Sequence, residues 1–425
     1  MKYFNNKNQT IINVALEVST VGIGLAENKN GKNMTGLFRV NTELTKALLD
    51  FSDVNFYLSF FTYPHGTQWG KSYFENKGYK IDCFSRNSSL ENFFYQSINK
   101  LENFPKKSSI MRIGSRIFKI CKNDSMSKDI DIFHSLYYPI PEFIKTKKIK
   151  RFRTIHDLAP LVVPRFFKRS HRRSFLKSIQ KISKNKDLFF AVSQNTKNDL
   201  RYHLNIPEKH IFVTPLAACP FKFKPVKDKF KISELLKYLN IPGNPYFLSI
   251  ATLEPRKNLN YTVQAFKKFL QLSKSNSQAK LLLVGRKGWL IDKLINEIYT
   301  DPMLKDKVIL TGFVKDWMLS PLISGAVGFL YPSLYEGFGL PVLEAMQCGV
   351  PVITSKVSSL PEVAGNSGIL VDPLDIDEMI NAMDKIFNDE SLRKNLAKSG
   401  IERAKKFSWE KCARQIIAGY QTALN

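Results

Sequence analysis

Two carboxylates and two cations carry the clearest chemical signal in the chain. The run Tyr335-Glu336-Gly337-Phe338-Gly339-Leu340-Pro341-Val342-Leu343-Glu344 places Glu336 on a strand-to-helix loop and Glu344 in the first turn of the following helix. Such loops lie at the carboxyl ends of strands, where open α/β sheets bind ligands. Two ionised carboxylates there suit a hydroxyl-rich ligand, since each accepts hydrogen bonds from neighbouring hydroxyls. The glycines permit close backbone approach, and N–H groups at a helix start favour phosphate. Taken alone, a capped turn with two incidental acids explains these residues about as well. A second run, Thr252-Leu253-Glu254-Pro255-Arg256-Lys257-Asn258, sets a guanidinium fork and an ammonium before a helix capped by Asn258, which makes an anion site. By itself a proline turn with solvated cations is the simpler account.

Other candidates are weaker. Asp129-Ile130-Asp131 and Asp375-Ile376-Asp377 match a D-x-D metal pair, but one opens a strand and the other precedes a helix, so both read as structural. Gly22-Ile23-Gly24 lacks the third glycine of a dinucleotide fingerprint. His134 ends a strand and is as readily a packed residue as a ligand. The basic stretch from Lys168 to Ile182 puts Phe175, Leu176, Ile179 and Ile182 on one helical face, which fits a helix docked on its own sheet or a platform on an anionic surface.

These residues need elements to hold them. Short apolar runs alternate with helix-length amphipathic segments, as in parallel sheets covered by helices. In the first half, Ile11–Val18 reads as a strand, followed by a glycine-rich loop (Gly22, Gly24, Gly31) and then by Thr35-Gly36-Leu37-Phe38-Arg39 leading into a helix through about Leu49. Strands are expected at Asn55–Phe61, Ile130–His134, Phe152–Ile155 and Leu188–Val192. In the second half they are expected at Tyr246–Ala251, Lys280–Val284, Val308–Thr311, Ala326–Tyr331 and Pro351–Thr354, with helices at Leu259–Ser273, Trp289–Tyr299 and Pro341–Cys348. Phe221–Lys237, rich in Lys, Phe and Pro, reads as a linker. Residues 85–128 are the least legible. The uncharged stretch Trp317–Tyr335 is long enough to suggest a membrane span, but Pro321, Gly325, Gly328 and Pro332 divide it into a short helix and a strand.

The composition bounds the class. The chain has 425 residues, 44% of them hydrophobic, enough for two or three domains with their own cores. Its five cysteines have no C-x-x-C spacing, which argues against a disulfide framework or a zinc site and for a reducing cytoplasm. The polar start, Met1–Gln9, does not resemble a signal peptide. The net charge of +27 is uneven: residues 1–250 carry 42 basic and 19 acidic side chains, and 251–425 carry 22 and 18. Within the first half, 101–186 holds 22 against 6. Such a field attracts nucleic acid, anionic lipid or phosphorylated molecules.

Taken together, the motifs resemble the retaining family 4 nucleotide-sugar glycosyltransferases of GT-B fold. The spacing of Glu336 and Glu344, the E-P-R-K-N loop, Leu282-Leu283-Val284-Gly285, Leu310-Thr311-Gly312-Phe313-Val314, Tyr331-Pro332-Ser333 and Pro361-Glu362-Val363 occur in the family's order. More sparsely, Thr35-Gly36-Leu37-Phe38-Arg39 looks like its phosphate-facing loop, Thr154-Ile155-His156-Asp157-Leu158 its cleft H-D-L, and Ala191-Val192-Ser193 its V-S turn. The resemblance implies two Rossmann-like domains facing each other across a cleft. An acceptor-side domain would span 1–225, a donor domain 226–405, and a helix at 406–425 would return to the first.

Roles follow from the same resemblance. Lys257, helped by Arg256, would hold the donor diphosphate and neutralise the leaving nucleotide. Glu344 would accept from the ribose hydroxyls. Glu336 and the backbone of Phe338, Gly339 and Leu340 would hold the donor sugar and its proximal phosphate. Gly36 would close on the diphosphate, His156 would sit beside the transferred sugar, and Gly285, Arg286 and Val314 would flank the nucleobase. One departure is that many members have Gly-Arg where this chain has Ala251-Thr252; either Arg256, Arg286 or Arg39 compensates, or the diphosphate is held more loosely.

The expectation is therefore a retaining hexosyltransferase with no metal and no other cofactor. It would use a nucleotide-diphosphate sugar, GDP-mannose first, with UDP-sugars or GDP-fucose as alternatives. The acceptor would be a glycan or lipid-linked glycan in surface polysaccharide assembly. The protein would be cytoplasmic and peripheral on the inner face of the cell membrane, with 101–186 against anionic lipid and no nucleic acid bound. A non-catalytic basic protein that binds nucleic acid or membrane is the competing class; it lacks a recognition motif and leaves Lys257, Glu336 and Glu344 without a task.

Overall fold

A computed structural model of the chain describes residues 11–26, 36–60, 67–83, 129–243 and 245–425. Thr35, Gly31, Cys121 and residues 85–128 lie outside them, and with these the part of the basic region 101–186 that precedes residue 129. The described chain packs as two compact units: 1–154 with 181–189 and 420–425, and 155–180 with 190–419.

A seven-stranded sheet has the order β3-β2-β1-β4-β5-β6-β7. Its strands are β1 (Ile12–Glu17), β2 (Val54–Ser59), β3 (Asp82–Cys83), β4 (Ile132–Ser135), β5 (Lys150–Ile155), β6 (Asp187–Ala191) and β7 (Ile211–Val213). A six-stranded sheet has the order β10-β9-β8-β11-β12-β13. It consists of β8 (Tyr246–Ile250), β9 (Lys280–Val284), β10 (Val308–Gly312), β11 (Gly328–Tyr331), β12 (Val352–Ser355) and β13 (Ile369–Val371). The recorded pairings are parallel. Strands covered on both faces read as unbroken apolar runs rather than alternation, which is why Leu281-Leu282-Leu283-Val284 and Phe329-Leu330 are buried throughout. A core of Phe247, Val263, Phe266, Phe269, Leu281 and Met383 covers one face of the second sheet.

The expected strands are present with ends shifted by a few residues; the short strands β3, β7 and β13 were not expected, and some local readings are corrected. Gly22 and Gly24 belong to a helix, α1 (Ser19–Ala26), rather than a loop. A Cβ on Gly24 would meet the Phe38 ring at 2.2 Å, so the glycine permits close packing against α2 (Gly36–Leu49). The basic stretch forms α3 (Arg169–Ile179), and Gln194–Leu204 forms α4, N-capped by Ser193. The supposed linker contains α5 (Lys229–Tyr238), capped by Asp228. After β8 comes α6 (Leu259–Leu270). Asn258 precedes it at φ 58° but does not cap it with its side chain, which donates instead to the Pro373 carbonyl at 2.7 Å. Trp317–Tyr335 contains α7 (Asp316–Ser324), with Pro321 inside it, and then β11. No helix among the described residues is long and apolar enough to cross a membrane.

Both D-x-D runs have structural work. Asp131 accepts from the Asn13 N–H at 2.8 Å, and Asp375 caps the helix Ile376–Asn388. His134 is fully buried, its ring nitrogens hydrogen-bonded to the Tyr420 hydroxyl (2.5 Å) and the Thr154 hydroxyl (2.8 Å). It is a packed histidine with both nitrogens engaged.

Candidate functional site

The two motif runs meet at one carboxylate. Lys257 and Arg256 lie on a 3-10 turn, Pro255–Lys257, after β8, and Glu336 on the loop after β11. These strands are neighbours in the sheet, so their carboxyl ends bring residues 79 and 80 positions apart into contact. Lys257 Nζ lies 2.5 Å from Glu336 Oε1, and Arg256 NH1 lies 2.8 Å from Oε2. The Tyr331 hydroxyl donates to Oε1 at 3.1 Å and accepts from Lys257 at 2.6 Å. Arg256 is committed further, to Glu254 (2.8 Å) and the Tyr335 carbonyl (2.6 Å).

Burial sharpens the electrostatics. Burial alone would raise the Glu336 pKa, but Arg256 and Lys257 together hold it down at about 2. The carboxylate is therefore ionised at any physiological pH, which suits an acceptor of hydrogen bonds and not a proton donor. Burial and the adjacent guanidinium pull Lys257 below its ordinary value, against the raising effect of Glu336. Burial would also lower Arg256, but Glu336, Asp157 and Glu254 carry it above its usual range.

The loop that carries Glu336 is pinned from both sides. Glu336 N–H donates to the Ser358 hydroxyl at 3.0 Å, Ser358 donates back to the Glu336 carbonyl, and Ser359 donates to the carbonyls of Glu336 (2.9 Å) and Phe338 (2.8 Å). Ser358 holds a left-handed φ of 60°, a strained conformation for a non-glycine residue that these bonds compensate. From α4, the Thr196 hydroxyl donates to the Gly337 carbonyl at 3.2 Å. A Cβ on Gly337 would stand 1.7 Å from the His156 carbonyl oxygen, so only glycine lets this loop lie against the H-D-L turn. The Tyr335 hydroxyl completes that junction: it donates to Asp199 at 2.6 Å and accepts from the Leu158 N–H at 3.3 Å.

The other expected residues divide. Gly339, at φ 111°, is the N-cap of α8 (Leu340–Gln347), with Pro341 in its first turn. Glu344 is the fifth residue of that helix, which begins one residue earlier than expected and so puts Glu344 at the start of its second turn, and it is buried. Phe338 is buried with its ring against Phe407. Gly285 follows β9 at φ 145°, where a Cβ would stand 1.8 Å from the Ala251 carbonyl. The Arg286 carbonyl accepts from Leu253 N–H, and its guanidinium lies 5.0 Å from the Phe313 ring, beside buried Val314. Thus Lys257, Arg256 and Glu336 touch directly, and the loop of Gly285 and Arg286 rests on the start of the Lys257 run. Gly36 begins α2 in the other compact unit.

Sequence spacing gave no role to Tyr331, Tyr335, Asp199, Ser358 or Ser359. Tyr331 and Tyr335 sit within the motif runs, but their hydroxyl partners are set by tertiary contacts. No spacing rule connects position 336 to 358 or 335 to 199.

Comparison with known proteins agrees with this geometry. Residues 232–403 match the family model for glycosyl transferases group 1, and residues 72–217 match that for glycosyltransferase family 4. O-antigen chain mannosyltransferase B of Escherichia coli is 34% identical over 285 residues, covering 67% of this chain and 74% of that protein. The serotype-specific mannosyltransferase WbdA of the same species is 27% identical over 63% of this chain, which spans only 33% of its length. Among solved structures, Anabaena HepE in complex with UDP-glucose superposes with a TM-score of 0.64 at 16% identity, over 97% of this chain and 100% of that one. With two parallel sheets, two matching family models and a relative matched across most of its length, the chain belongs to the family 4 glycosyltransferases of GT-B fold.

Proposed function

We propose that this glycosyltransferase moves a hexosyl group from a nucleotide-diphosphate sugar, GDP-mannose first, to a glycan or lipid-linked acceptor in surface polysaccharide assembly, with retention of configuration. The observation that carries the reading is the buried contact of Lys257 and Arg256 with an ionised Glu336 on loops at the carboxyl ends of β8 and β11. The mannosyltransferase names of its relatives support the choice of sugar.

The chemistry follows from charge. Departure of a nucleoside diphosphate leaves an oxocarbenium-like sugar and a growing negative charge on the leaving phosphate. A preorganised cation at that oxygen is the natural catalyst: Lys257, with a third N–H beyond those held by Glu336 and Tyr331, takes that part, while Arg256 is spread over Glu254, Glu336 and the Tyr335 carbonyl. Arg256 then acts chiefly by fixing Glu336. Glu336, ionised and unable to give a proton, accepts from sugar hydroxyls, and Glu344 from the ribose. His156 stands by the transferred sugar, Gly285, Arg286 and Val314 by the base, and the backbone of Phe338, Gly339 and Leu340 by the proximal phosphate. Attack on the same face, with the departing phosphate taking the acceptor's proton, retains configuration without a protein nucleophile. On this reading the basic surface at 101–186 faces an anionic acceptor or membrane, and the donor motifs belong to a domain spanning 226–405.

A thermal-shift series with GDP-, UDP-, ADP- and dTDP-sugars tests the donor; a ligand at about 100 times its Kd adds roughly 2.7 kcal/mol of stability. Stabilisation by GDP-mannose alone is the expected result, and stabilisation by a UDP-sugar alone would replace the donor. Lys257→Ala should lower kcat by about 10²–10³. It should stay folded, because Glu336 keeps Arg256 and Tyr331. Wild-type turnover by a folded Lys257→Ala protein would refute the assignment.

A further inference from the structure

The segment 221–243 packs against α7, where the Lys224 and Val226 N–H groups donate to the Ser320 and Ser324 hydroxyls, and the mechanism makes no use of it. Asp228 caps α5 by accepting from the N–H groups of Phe230 (3.0 Å) and Lys231 (3.1 Å). Leu235 and Leu236 are buried and Ile232 is partly so, which fixes the inward face of the helix. The rest of the segment is left in solvent with an unusual content: Phe221 is 89% exposed, Phe230 74% and Tyr238 67%. Trp317 at the start of α7 is 60% exposed, with its ring centroid 6.5 Å from that of Tyr238. The Lys222–Asp316 ion pair, at 3.2 Å, ties the turn of Phe221 to the same helix start.

Single exposed apolar side chains are ordinary, but four large rings on one segment and the helix it packs against are not. The charges around them have one predominant sign. Between Phe221 and Tyr238 there are six lysines (222, 224, 227, 229, 231 and 237) against Asp228, which is engaged as the helix cap, and Glu234. Beside α5 runs a groove of about 660 Å³, with Lys227, Lys229 and Lys237 among its walls and Ile232, Leu236 and Ile241 among its apolar lining. Cations above an apolar floor match an amphiphile, with phosphate at the rim and hydrocarbon below. A nucleic-acid strand would use the lysines and rings but has no apolar body for that floor.

We propose that this face, formed by residues 221–241 and Trp317, docks on an anionic lipid surface, with its rings entering the headgroup boundary and its lysines meeting the phosphates. It is separate from 101–186, and it does not depend on which sugar nucleotide the enzyme uses. The test is co-sedimentation of the full chain with phosphatidylcholine vesicles, with and without phosphatidylglycerol. The wild type should bind only the anionic vesicles. Lys227→Glu/Lys229→Glu/Lys231→Glu and Phe230→Ser/Trp317→Ser should each weaken that binding by on the order of tenfold or more, since each basic residue near such a surface contributes appreciably. Both variants should keep the thermal shift with sugar nucleotide, which separates loss of docking from loss of fold. Trp317 fluorescence, identified by its loss in Trp317→Phe, should be quenched by brominated lipid. The proposal is overturned if wild type ignores anionic vesicles, or if both variants sediment like wild type. It is also overturned if Arg169→Glu/Arg172→Glu/Arg173→Glu on α3 alone abolishes binding, or if single-stranded DNA binds this face while vesicles do not.

Discussion

Each compact unit holds a buried arginine–carboxylate pair, and the two pairs are built differently. In the first unit, Arg151 NH2 lies 2.7 Å from Asp187 Oδ1, with both side chains almost wholly buried. Nearby backbone adds one hydrogen bond to each: Arg151 donates to the Lys145 carbonyl at 3.1 Å, and Asp187 accepts from the Ser183 N–H at 2.7 Å. In the second unit, Glu336 faces a guanidinium, an ammonium and a tyrosine hydroxyl at once, and its loop is held by Ser358, Ser359 and Thr196. The first arrangement takes its hydrogen bonds from nearby backbone and shares its carboxylate charge with buried Arg153. The second concentrates side-chain charge at the mouth of a sheet, where a ligand can exchange with it. Burial of an ion pair therefore does not by itself mark a site; what distinguishes the site is several side-chain partners converging from separate loops.

The sharpest way to break this contrast is substitution by apolar residues. Asp187→Ala leaves a buried guanidinium without its partner and should cost about 3–5 kcal/mol of stability. Arg151→Met/Asp187→Leu should recover part of that loss, because a buried pair is often replaceable by packed hydrocarbon, while buried Arg153 still loses the Asp187 charge. Thermal or urea unfolding reads both. The corresponding change at the site, Lys257→Met/Glu336→Leu, should leave a folded protein without transfer activity. If the apolar pair in the first unit also abolished transfer in a folded protein, the two pairs would not differ in kind.

Acid sharpens the comparison next. The folded-state pKa of Glu336, about 2, lies below its ordinary value of 4.5. A depressed carboxylate contributes stability that is fully present above about pH 4.5 and is lost as the pH falls towards 2. The shift corresponds to about 3 kcal/mol. Glu336→Gln should therefore flatten the loss of stability between pH 4.5 and 2 relative to wild type, read as unfolding midpoints across that range. An unchanged slope would mean that Arg256 and Lys257 do not hold the carboxylate as described.

The strands and helices around the site were legible because parallel strands buried on both faces leave unbroken apolar runs, as in Leu281–Val284. Pro341 and Gly349 mark the two ends of α8. The pairing of 256 and 257 with 336 could be anticipated from motif order, since both loops follow strands of one sheet. Less legible was anything decided by side-chain reach across the fold. Asn258 looks like a cap but turns to Pro373; Gly22 and Gly24 look like a loop but serve helix packing; Phe221–Lys237 looks like a linker because its lysines mask the Ile232, Leu235, Leu236 stripe of α5. Ser358 and Ser359 were invisible for the same reason.

The smallest expected effect concerns Tyr335, which belongs to the Glu336 loop but points away from the carboxylate. Its hydroxyl joins Asp199 on α4 to the Leu158 N–H of the H-D-L turn, and burial, then Asp199, pushes it well above the ordinary tyrosine range. It is a neutral donor, and its bond to Asp199 opposes the burial that raises that carboxyl's pKa. Tyr335→Phe keeps the ring and loses both bonds, at a cost of about 1–3 kcal/mol for a buried bond to a charged group. If His156 stands by the transferred sugar as proposed, the hydroxyl acts on it only through the Leu158 backbone, so KM for the donor should stay near wild type while kcat falls by a few-fold. The Asp199 carboxyl, relieved of its donor, should titrate still higher, so the variant should lose stability relative to wild type as the pH rises through that range. A variant with unchanged kcat and unchanged pH dependence would show that the junction of the two loops is held by Gly337 and Thr196 alone.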